Sequence, residues 1–531
     1  MSVSPHRPNV TEAEGIHPAS LLLVPDNLRS LLTLPPEVNP NGLWITDELL
    51  FNYQRCQRRA YLDAYEDKGR RDSPSDYLLK LRRDSIAHQS EIVGQESAHK
   101  PDYPRYDWLT GAEATRRLMQ QGVERIVQGV LHVILENGMH LVSCPDLLIK
   151  QPGQSLFGDW TYVPMDIRLG KRPKMDYQVA ASFHAFVLAG VQGMWPETSW
   201  LMLRQRGAYA VSLVDMLPRM QEILQNCIVS LLQPEEPEVF IAHNRCDLCQ
   251  WLSHCYSIAQ TKQHLSLLPG VTPSRYAYLK ELGLTVLEDL ATANPKLLEP
   301  LPGFGAQVAH RLIRQAQSML NNQALPDFIF PDASPFPLLS VEELPTAAVE
   351  LYFDIEAAPE QNLVYLHGVL VVDRQQQTET FYALLADTQE DEQRVWEEFL
   401  ELVWQYPTAP IFHFCPYEVQ TVKRLAEQYG TPSDWVEPLV SRFVDLHERV
   451  TRVAILPVES YALKPIARWV GFDWRNPDAN GAQSICWYAQ WMATGDRSFL
   501  EAILHYNEDD CRATYWVKNW LVEFCQGSQT T

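Results

Sequence analysis

ELYFDIEA, residues 350–357, is a largely apolar run that carries the carboxylates of Asp354 and Glu356. Because successive side chains of a β-strand point to opposite faces of the sheet, these residues, two positions apart, share one face. Carboxylates placed in this way can bind the same divalent metal ion. The stretch predicts the first strand of an α/β domain and part of a metal site, although taken alone it also fits a strand end that faces solvent.

YNEDDCRAT, residues 506–514, lies near the C-terminus. On a helix, Tyr506 and Asp510 are four positions apart and share one face. Asp510 could complete the metal site, while Tyr506 holds the attacking water. Mg²⁺ or Mn²⁺ ions between such carboxylates would stabilise the attacking and leaving oxygens of a phosphodiester. Taken alone, Asp509 and Asp510 also fit a solvated acidic run.

The carboxylate pattern of residues 345–527 resembles the DEDD exonucleases of the ribonuclease-H-like superfamily, in the class that has a tyrosine in the last motif. The D-x-E element corresponds to Asp354 and Glu356, and the Y-x3-D element to Tyr506 and Asp510. The resemblance implies a mixed-sheet domain that hydrolyses phosphodiesters with bound metal ions. It also implies that the three acidic residues ligate the metal and that the tyrosine orients water.

The middle motif of that family ends in an aspartate after an aromatic residue, and here it reads FHFCPYEVQTV. Glu418 occupies the aspartate position, so the third carboxylate is longer by one methylene. Asp445, in RFVDLHERV, is the alternative carboxylate, of secondary rank. The segment ESYALKPIARWVGF, residues 459–472, resembles the positioning helix that these proteins often carry before the last motif.

Length and composition favour a soluble chain of several domains. The chain has 531 residues, more than one hydrophobic core usually organises, and 46% of them are hydrophobic, which argues against wholesale disorder. No apolar run reaches the roughly 20 residues of a membrane span, and the N-terminus shows no signal-peptide pattern. We therefore expect a cytoplasmic protein with no membrane partner, whose ten cysteines are reduced or bind metal.

The net charge of −22 at first argues against a nucleic-acid partner, but the charge is uneven. Residues 345–531 hold 13 basic and 28 acidic side chains, which gives −15. Residues 51–90 instead hold nine basic and six acidic side chains, with the clusters RCQRR, KGRR and KLRR. An acidic protein with such basic patches can still bind DNA locally.

Proline- and glycine-containing segments mark the boundaries between predicted domains. The start is rich in Pro, Asn and Ser, an α/β pattern follows, and a wholly helical stretch precedes a proline-rich linker and the strand-first domain. The predicted parts are a flexible N-terminal segment 1–40, an α/β domain 41–258, a helical module 259–325, a linker 326–344 and the C-terminal domain 345–527.

Four cysteines predict a metal centre in the first domain. Cys246, Cys249 and Cys255 form a C-x2-C-x5-C cluster, and Cys56 lies far upstream between basic residues. Four thiolates suit either Zn²⁺ or an iron–sulfur cluster, since both select soft sulfur ligands. The arrangement would staple the start of the domain to its end. A zinc ribbon normally has two C-x2-C pairs, whereas here one cysteine is far from a closely spaced trio. We therefore favour the iron–sulfur cluster.

A second carboxylate pair lies in the first domain. Asp146, in SCPDLL, and Asp166, in YVPMDIR, fall on neighbouring predicted strands, where they could hold Mg²⁺ near a phosphate. Gln178 on the following helix could fix the water or the backbone. His88 on an earlier helix could supply a further metal ligand, although a lone histidine is more often an ordinary helix residue.

These elements resemble the RecB-like nucleases of the PD-(D/E)xK superfamily, in the branch that carries an iron–sulfur cluster. The resemblance covers residues 41–258 and implies a restriction-endonuclease-like core, a 4Fe–4S cluster and a DNA substrate. The matching positions, in the family's order, are Cys56, His88, Asp146, Asp166, Gln178, Cys246, Cys249 and Cys255.

Two positions depart from the RecB-like pattern. Arg168 stands where the family has a lysine, and Ser182 or Phe183 stands near the helical tyrosine position. An arginine cannot readily act as a base, so Lys171 or Lys174 would have to reach in. The site either cuts DNA with Arg168 in the lysine's place or only binds it, and the sequence leaves both open.

The helical module resembles tandem helix-hairpin-helix motifs, which bind the DNA backbone without reading sequence. Gly270 and Gly303 follow prolines, Gly305 comes two positions later, and all three precede helices, so backbone N–H groups could approach a phosphate there. Arg311 and Arg314 lie in a stretch without acidic residues and suit phosphate contacts. The alternative is a plain helical spacer between domains.

The whole arrangement therefore predicts a metal-dependent nuclease, most simply a DNA exonuclease that acts on single strands or ends in DNA processing, repair or defence. The C-terminal site is the more credible cutter. The alternatives are a non-catalytic nucleic-acid-binding scaffold, with a helicase or a repair or defence complex as partner, and an RNA-directed nuclease.

Overall fold

A computed structural model describes residues 42–94, 98–327 and 338–527 of the chain. The predicted N-terminal segment 1–40 lies outside the described residues, as do residues 328–337 of the predicted linker. Within the described part, none of the helices combines the length and the apolar character that crossing a membrane would require.

The described residues form two compact units. The first takes in the residues up to Val239 together with His243–Cys255. The second takes in Phe240–Ala242 and the residues from Tyr256 onward, so it holds both the helical module and the strand-first domain. Sheets with mixed strand directions occur in both units, and the predicted α/β class is confirmed at this coarse level.

Eight strands build two sheets in the first unit. They are β1 (Trp44–Thr46), β2 (Arg125–Val127), β3 (Leu131–Ile134), β4 (His140–Ser143), β5 (Leu147–Ser155), β6 (Gly158–Arg168), β7 (Ser199–Leu203) and β8 (Gly207–Val211). One sheet has the order β1-β4-β3 and the other the order β2-β5-β6-β7-β8. In the larger sheet β6 and β7 are parallel, while the other neighbours are antiparallel.

One helix organises the core of the first unit. The helices up to residue 261 are α1 (Asp47–Arg55), α2 (Gln57–Tyr65), α3 (Asp76–Val93), α4 (Trp108–Gln120), α5 (Met175–Gln192), α6 (Leu213–Leu232), α7 (His243–Cys246) and α8 (Leu252–Thr261). From Val179 to Gln192 every residue of α5 is buried. A helix that is apolar on all sides packs in the interior, and α5 accordingly contacts both sheets as well as α1 and α6.

Local backbone chemistry breaks elements that the sequence predicts as continuous. Thr46 caps α1, its hydroxyl accepting from the Leu49 N–H at 3.0 Å. Residues 47–65 have one continuous amphipathic pattern that predicts a single helix, but Cys56, in an extended conformation, separates α1 from α2. The runs 123–135 and 139–150 each have the pattern of one strand, but the first is split at Gln128, whose φ is +49°, and the second at Pro145, which has no N–H to donate.

The helical part of the second unit has a small core of its own. Its helices are α9 (Pro273–Glu281), α10 (Leu287–Ala291), α11 (Pro295–Leu298) and α12 (Gly305–Asn321). Thr272 caps α9 by accepting from the Arg275 N–H at 3.2 Å. The buried apolar side chains of this core include Leu265, Leu279, Leu290, Leu298 and Leu312.

The strand-first domain is a five-stranded sheet covered on both faces. Its strands are β10 (Val349–Ala358), β11 (Leu363–Asp373), β12 (Thr378–Leu385), β13 (Ile411–His413) and β14 (Phe443–Asp445), and a two-stranded ribbon joins β9 (Leu325–Pro326) to β15 (Ala454–Ile455). The sheet order is β12-β11-β10-β13-β14, with β13 and β14 parallel to β10 and the β10–β11–β12 pairs antiparallel.

Alternate residues of β10 point to opposite faces of the sheet, and different helices cover the two faces. The helices are α13 (Glu392–Trp404), α14 (Tyr417–Gln428), α15 (Ser433–Val440), α16 (Leu446–Val453), α17 (Leu463–Trp469), α18 (Gly481–Thr494) and α19 (Arg497–Cys525). On β10, Phe353 packs in a core with residues of α13, whereas Tyr352 packs in a core with residues of α19. Asp354 and Glu356 share the parity of Tyr352, so they face α19.

Candidate metal centre

Three carboxylates of the strand-first domain converge. Asp354 and Glu356 of β10 and Asp510 of α19 each offer an oxygen atom, and these atoms all lie within 4.8 Å of one another. This spacing suits one or two divalent ions held by oxygen ligands. Asp354 and Asp510, which are 156 positions apart in the sequence, meet here because α19 packs against β10.

Asp354 is held by a neighbour that the sequence did not single out. The side-chain amide of Asn507 donates to Asp354 Oδ2 at 2.7 Å, from the residue that follows Tyr506. Asn507 has room because Gly368, opposite Asp354 on β11, has no side chain. The amide fixes one carboxylate oxygen and leaves the other for a metal.

Glu356 is held through a short chain of hydroxyl groups. Ser484 of α18 donates to Glu356 Oε2 at 2.7 Å, and the Tyr365 hydroxyl lies 3.0 Å from the Ser484 oxygen. A serine hydroxyl has one hydrogen, which Glu356 accepts, so Tyr365 is the donor to Ser484. Both hydroxyl groups are buried, and they orient the carboxylate without adding charge.

Asp510 is held by an indole and a phenol. Trp474 Nε1 donates to Asp510 Oδ1 at 2.7 Å. A hydrogen bond from the Tyr506 hydroxyl stabilises the charged form of the same carboxylate. Burial, together with the nearby charge of Asp510, raises the pKa of Tyr506 far above its ordinary value, so the phenol stays protonated.

Like charges crowd this site. Burial raises the pKa of Asp354 well above its ordinary value, and the charges of Asp510, Glu356 and Glu418 raise it further. Burial is also the largest cause for Glu356, whose pKa rises to about 8, and for Asp510, whose pKa rises to about 7. A bound cation would offset this repulsion. Carboxylates with such strongly raised pKa values are often found at functional sites.

Glu418 lies at the edge of the converging group. It is buried in the first turn of α14, and its Oε2 lies 3.4 Å from His413 Nδ1. Its charge acts on Asp354, although it is not among the three carboxylates within 4.8 Å. Asp445, the alternative, instead caps α16 by accepting from the His447 N–H at 2.9 Å, and it also accepts from the Cys415 N–H at 3.1 Å. Of these two carboxylates, Glu418 is thus the one that acts on the site.

The comparisons with known proteins bear on this domain alone. Residues 351–522, from β10 to α19, match the family model of the RNase_H superfamily. The C-terminal part is therefore a ribonuclease-H-like domain, the fold of enzymes that hydrolyse phosphodiesters with divalent metals, and this part of the resemblance is confirmed. No curated protein matches the chain.

The carboxylates predicted in the first unit also meet, but cations already engage one of them. Asp166 Oδ2 accepts from Arg168 at 2.5 Å, and Asp166 Oδ1 lies 3.0 Å from His184 Nε2. Although burial alone would raise it, these two cations hold the pKa of Asp166 below its ordinary value. Arg168 thus neutralises the carboxylate that the resemblance assigns to the metal.

Asp146 lies beside this network. Its oxygens accept from the Gln89 amide at 2.8 Å and the Ile167 N–H at 2.7 Å. Burial first, and then the charge of Asp166, raise its pKa to about 7. Asp166 lies close enough to Asp146 for its charge to raise the pKa of Asp146, but every oxygen of the pair has a protein partner.

Two members of this network were missed by the sequence reasoning. Asp47, directly after the Thr46 cap, is close enough to Asp166 and His184 for their charges to shift its pKa, which burial raises overall. His184 lies six positions after Gln178 on α5, and its Nδ1 contacts the Ser143 hydroxyl at 2.6 Å. His184 could be recognised only from the structure, because the sequence of α5 is apolar on all sides and no polar face marks this residue.

Two other predicted residues have different neighbours. His88 Nδ1 lies 3.9 Å from Glu91 on its own helix, and the adjacent Gln89 is the residue that contacts Asp146. The Gln178 amide donates to the Pro173 carbonyl at 2.9 Å, so it braces the start of α5. Both contacts are local in sequence.

Two of the downstream cysteines lie close enough to Cys56 for its charge to act on them. Cys56 separates α1 from α2, and Cys255 lies in α8. Burial raises the pKa of Cys249 and that of Cys255, the latter to about 11, and the charge of Cys56 raises both further. Cys246 ends α7, and its carbonyl accepts from the Cys249 N–H at 2.8 Å. Thiols are the donors that a soft metal centre prefers.

Hydrogen bonds join the same two segments. Trp251 Nε1 donates to Asp63 Oδ1 at 2.8 Å, and the Asp72 N–H donates to the Gln250 carbonyl at 2.7 Å. The segment between Cys249 and Cys255 is therefore fastened to the region around α2 by protein contacts as well.

In the helical module, the predicted glycines adopt the left-handed conformations that their turns require. The φ angles are +88° at Gly270, +80° at Gly303 and +69° at Gly305, and the space beside the last two is open. Arg275, which the sequence did not single out, donates to the carbonyls of Gly303 at 2.9 Å and Gly270 at 2.7 Å. It ties the two turns together.

The two predicted phosphate-binding arginines have partners inside the second unit. Arg311 donates to the Thr451 carbonyl at 2.8 Å and lies 3.2 Å from Asp327. Arg314 also acts electrostatically on Asp327. Arg311 therefore fastens α12 to α16 in this structure.

Proposed function

We propose that this protein is a metal-dependent nuclease whose C-terminal site hydrolyses phosphodiester bonds of DNA from its ends. The observation that carries the proposal is the convergence of Asp354, Glu356 and Asp510 within 4.8 Å in a domain that matches the RNase_H superfamily. The ligands are acidic, buried and of the oxygen type that Mg²⁺ and Mn²⁺ prefer.

The residues around the carboxylates divide the work. Asp354, Glu356 and Asp510, with Glu418 beside them, hold the metal ions. When bound, these ions neutralise the phosphate and favour ionisation of the attacking water. Tyr506 hydrogen-bonds to Asp510 and keeps its proton, so it positions the water rather than acting as a base.

The test is degradation of labelled single-stranded DNA with Mg²⁺ or Mn²⁺. Asp354→Asn abolishes the activity if the proposal holds, whereas Asp434→Asn, at an exposed position of α15, leaves it unchanged. Unchanged degradation by Asp354→Asn would move the activity to Asp146 and Asp166. Matched DNA and RNA oligonucleotides separate a DNA exonuclease from an RNA-directed nuclease.

For the first unit, the function supported best is holding nucleic acid without cutting it. The partners of Asp166, Arg168 and His184, supply the positive charge that a metal would bring. Asp146→Asn is therefore expected to keep the nuclease rate of the intact protein. A partial loss in Asp146→Asn, together with residual activity in Asp354→Asn, would instead make the first unit a second cutter.

The cysteine set would hold a 4Fe–4S cluster, with Zn²⁺ as the alternative. Cys56, Cys246, Cys249 and Cys255 would be the ligands, and the cluster would brace the fold. Protein purified without oxygen is expected to be brown and to lose the colour in Cys249→Ser. Colourless protein with stoichiometric zinc would contradict the iron–sulfur assignment.

The helical module would bind the DNA backbone through the open turns at Gly303 and Gly305. Gly303→Val and Gly305→Val introduce side chains that disfavour the positive φ of these turns, so they should weaken DNA binding in a salt-dependent way.

A second candidate for the whole protein is a non-catalytic scaffold of a repair or defence complex, favoured by Arg168 and Glu418, which depart from the catalytic patterns. DNA binding without turnover across metals and substrates would favour it.

A further inference from the structure

A run of aromatic side chains leads away from the metal centre. Trp474, whose indole bonds to Asp510, packs edge-on against Phe472 at 5.1 Å between ring centroids. Phe472 in turn lies 6.0 Å from Trp516 of α19. Trp516 is 47% exposed, an unusual position for so large an apolar side chain. The run therefore begins at a metal-binding carboxylate and ends at the surface.

The same surface continues along α19. Trp516, Trp520 and Phe524 recur at every fourth position and so share a helix face. Trp520 stacks on Phe524 at 5.0 Å and meets Trp469 of α17 edge-on at 5.5 Å. We call the half-buried and exposed rings Trp469, Phe472, Trp516, Trp520 and Phe524 the aromatic strip.

Two cations lie next to the aromatic run. Lys464 donates to the carbonyls of Pro477, at 2.9 Å, and Ala479, while Arg468 donates to the Pro477 carbonyl at 3.0 Å. Lys464 Nζ lies 5.3 Å from the centre of the Trp474 ring, and Arg468 directly precedes Trp469 of the strip. The carboxylates of Asp510, Asp478 and Asp509 also act on Lys464, so its positive charge lies between the aromatic run and the metal centre.

A cleft opens beside the metal centre. It has a volume of 220 Å³ and is lined by residues that include Arg475, His505 and Tyr506. Tyr506 also contacts Asp510, so the cleft lies next to the metal-binding carboxylates. The aromatic run reaches the same carboxylate through the hydrogen bond from the Trp474 indole to Asp510.

We propose that the aromatic strip is a stacking platform for single-stranded nucleic acid that feeds the metal centre. Unpaired bases expose apolar faces that stack on aromatic rings, while their phosphates favour nearby cations. Paired bases have no free faces, so the surface fits a single strand rather than a duplex. This inference rests on the proposed function, because it names the substrate form of the same site.

The experiment measures binding separately from cleavage. Binding of a fluorescent oligothymidylate of about 20 nucleotides is followed by anisotropy in the Asp354→Asn background, where no cleavage interferes. Trp516→Ala is expected to weaken binding by about 5- to 100-fold, the range of one lost base stack, and Trp516→Phe to restore most of it. The matched control is Trp435→Ala, since Trp435 is 53% exposed in the same domain.

Cleavage then separates this inference from the proposed function. In the wild-type background, Trp516→Ala should raise KM for the long oligonucleotide and leave the hydrolysis of a nitrophenyl thymidine phosphate unchanged, because one nucleotide cannot reach the strip. If the wild type cleaves nothing, the proposed function fails, while the binding arm still decides this inference. Equal binding by Trp516→Ala and Trp435→Ala would overturn it.

Discussion

Asn507 occupies the space that Gly368 leaves on the neighbouring strand. A Cβ atom added to Gly368 would lie 1.7 Å from Asn507 Oδ1 and 2.8 Å from its Cγ, so a side chain there excludes the amide from its place. From that place Asn507 donates to Asp354 at 2.7 Å. The missing side chain of Gly368 thus sets, through Asn507 of α19, the orientation of the candidate metal ligand Asp354 on the neighbouring strand.

This fit predicts the effect of Gly368→Ala. The new methyl group displaces Asn507, Asp354 loses its donor, and we expect Mn²⁺ affinity or nuclease rate to fall by about 10- to 100-fold, as for other partners of metal ligands. Calorimetric Mn²⁺ titration and the DNA degradation rate measure the two effects. Gly481→Ala is the control, since a Cβ there meets nothing within 4 Å. Equal metal binding by both variants would contradict the prediction.

Ser484 gives a graded prediction. Ser484→Ala removes the only hydrogen bond described for Glu356 Oε2, so the pKa of Glu356 should rise further, because that bond now lowers it. The acidic limb of the pH–rate profile should then move to higher pH, and the rate at neutral pH should fall. Tyr365→Phe, which loses only the donor to Ser484, should move the limb less. A profile that stays in place in Ser484→Ala would show that the hydroxyl does not tune the site.

The raised pKa values give a pH dependence with a definite sign. Glu356 moves from 4.5 to about 8 and Asp510 from 3.8 to about 7, so the metal-free folded protein holds protons that the unfolded chain releases. Its stability should therefore decline as pH rises from about 4 to about 8. Metal binding displaces these protons, so affinity should tighten by up to about tenfold per pH unit for each proton released.

Thermal melting with and without Mg²⁺ checks this dependence. The rise in Tm on adding Mg²⁺ should be larger at about pH 8 than at about pH 5.5, because protons compete less at the higher pH. Asp354→Asn should lose most of the rise at both values. An equal rise at both pH values would mean that the metal binds elsewhere.

The spacing of residues within single elements could be predicted from the sequence. The i, i+2 pair Asp354 and Glu356 lies on one strand face, and the i, i+4 pair Tyr506 and Asp510 on one helix face, because local geometry fixes both. Their meeting depends on α19 packing across β10, which the apolar pattern of both elements made plausible. The breaks between elements at Cys56 and Pro145 are harder to predict from the sequence, because a single residue determines each break.

The residues that hold the carboxylates could not be predicted. Ser484, Trp474 and Asn507 are neutral and reach the site from three separate stretches, so no charge pattern marks them. His184 lies inside an apolar helix and meets Asp166 only when α5 packs on the sheet. Such partners are brought together by tertiary packing. The residue spacing within a single helix or strand gives no sign of them.

The His184–Asp166 pair predicts how the first unit responds to loss of charge. Both side chains are almost fully buried, so His184→Leu leaves an acidic group without one of its partners and should cost about 3–5 kcal/mol in the free energy of unfolding. Because removing both charges avoids the uncompensated carboxylate, the double variant Asp166→Asn/His184→Leu should recover much of that loss. Urea unfolding measures the stabilities, and the DNA degradation rate of folded protein should stay at the wild-type value in both variants if the C-terminal site is the cutter. A double variant less stable than the single one would show that Asp166 stabilises the unit through Arg168 alone.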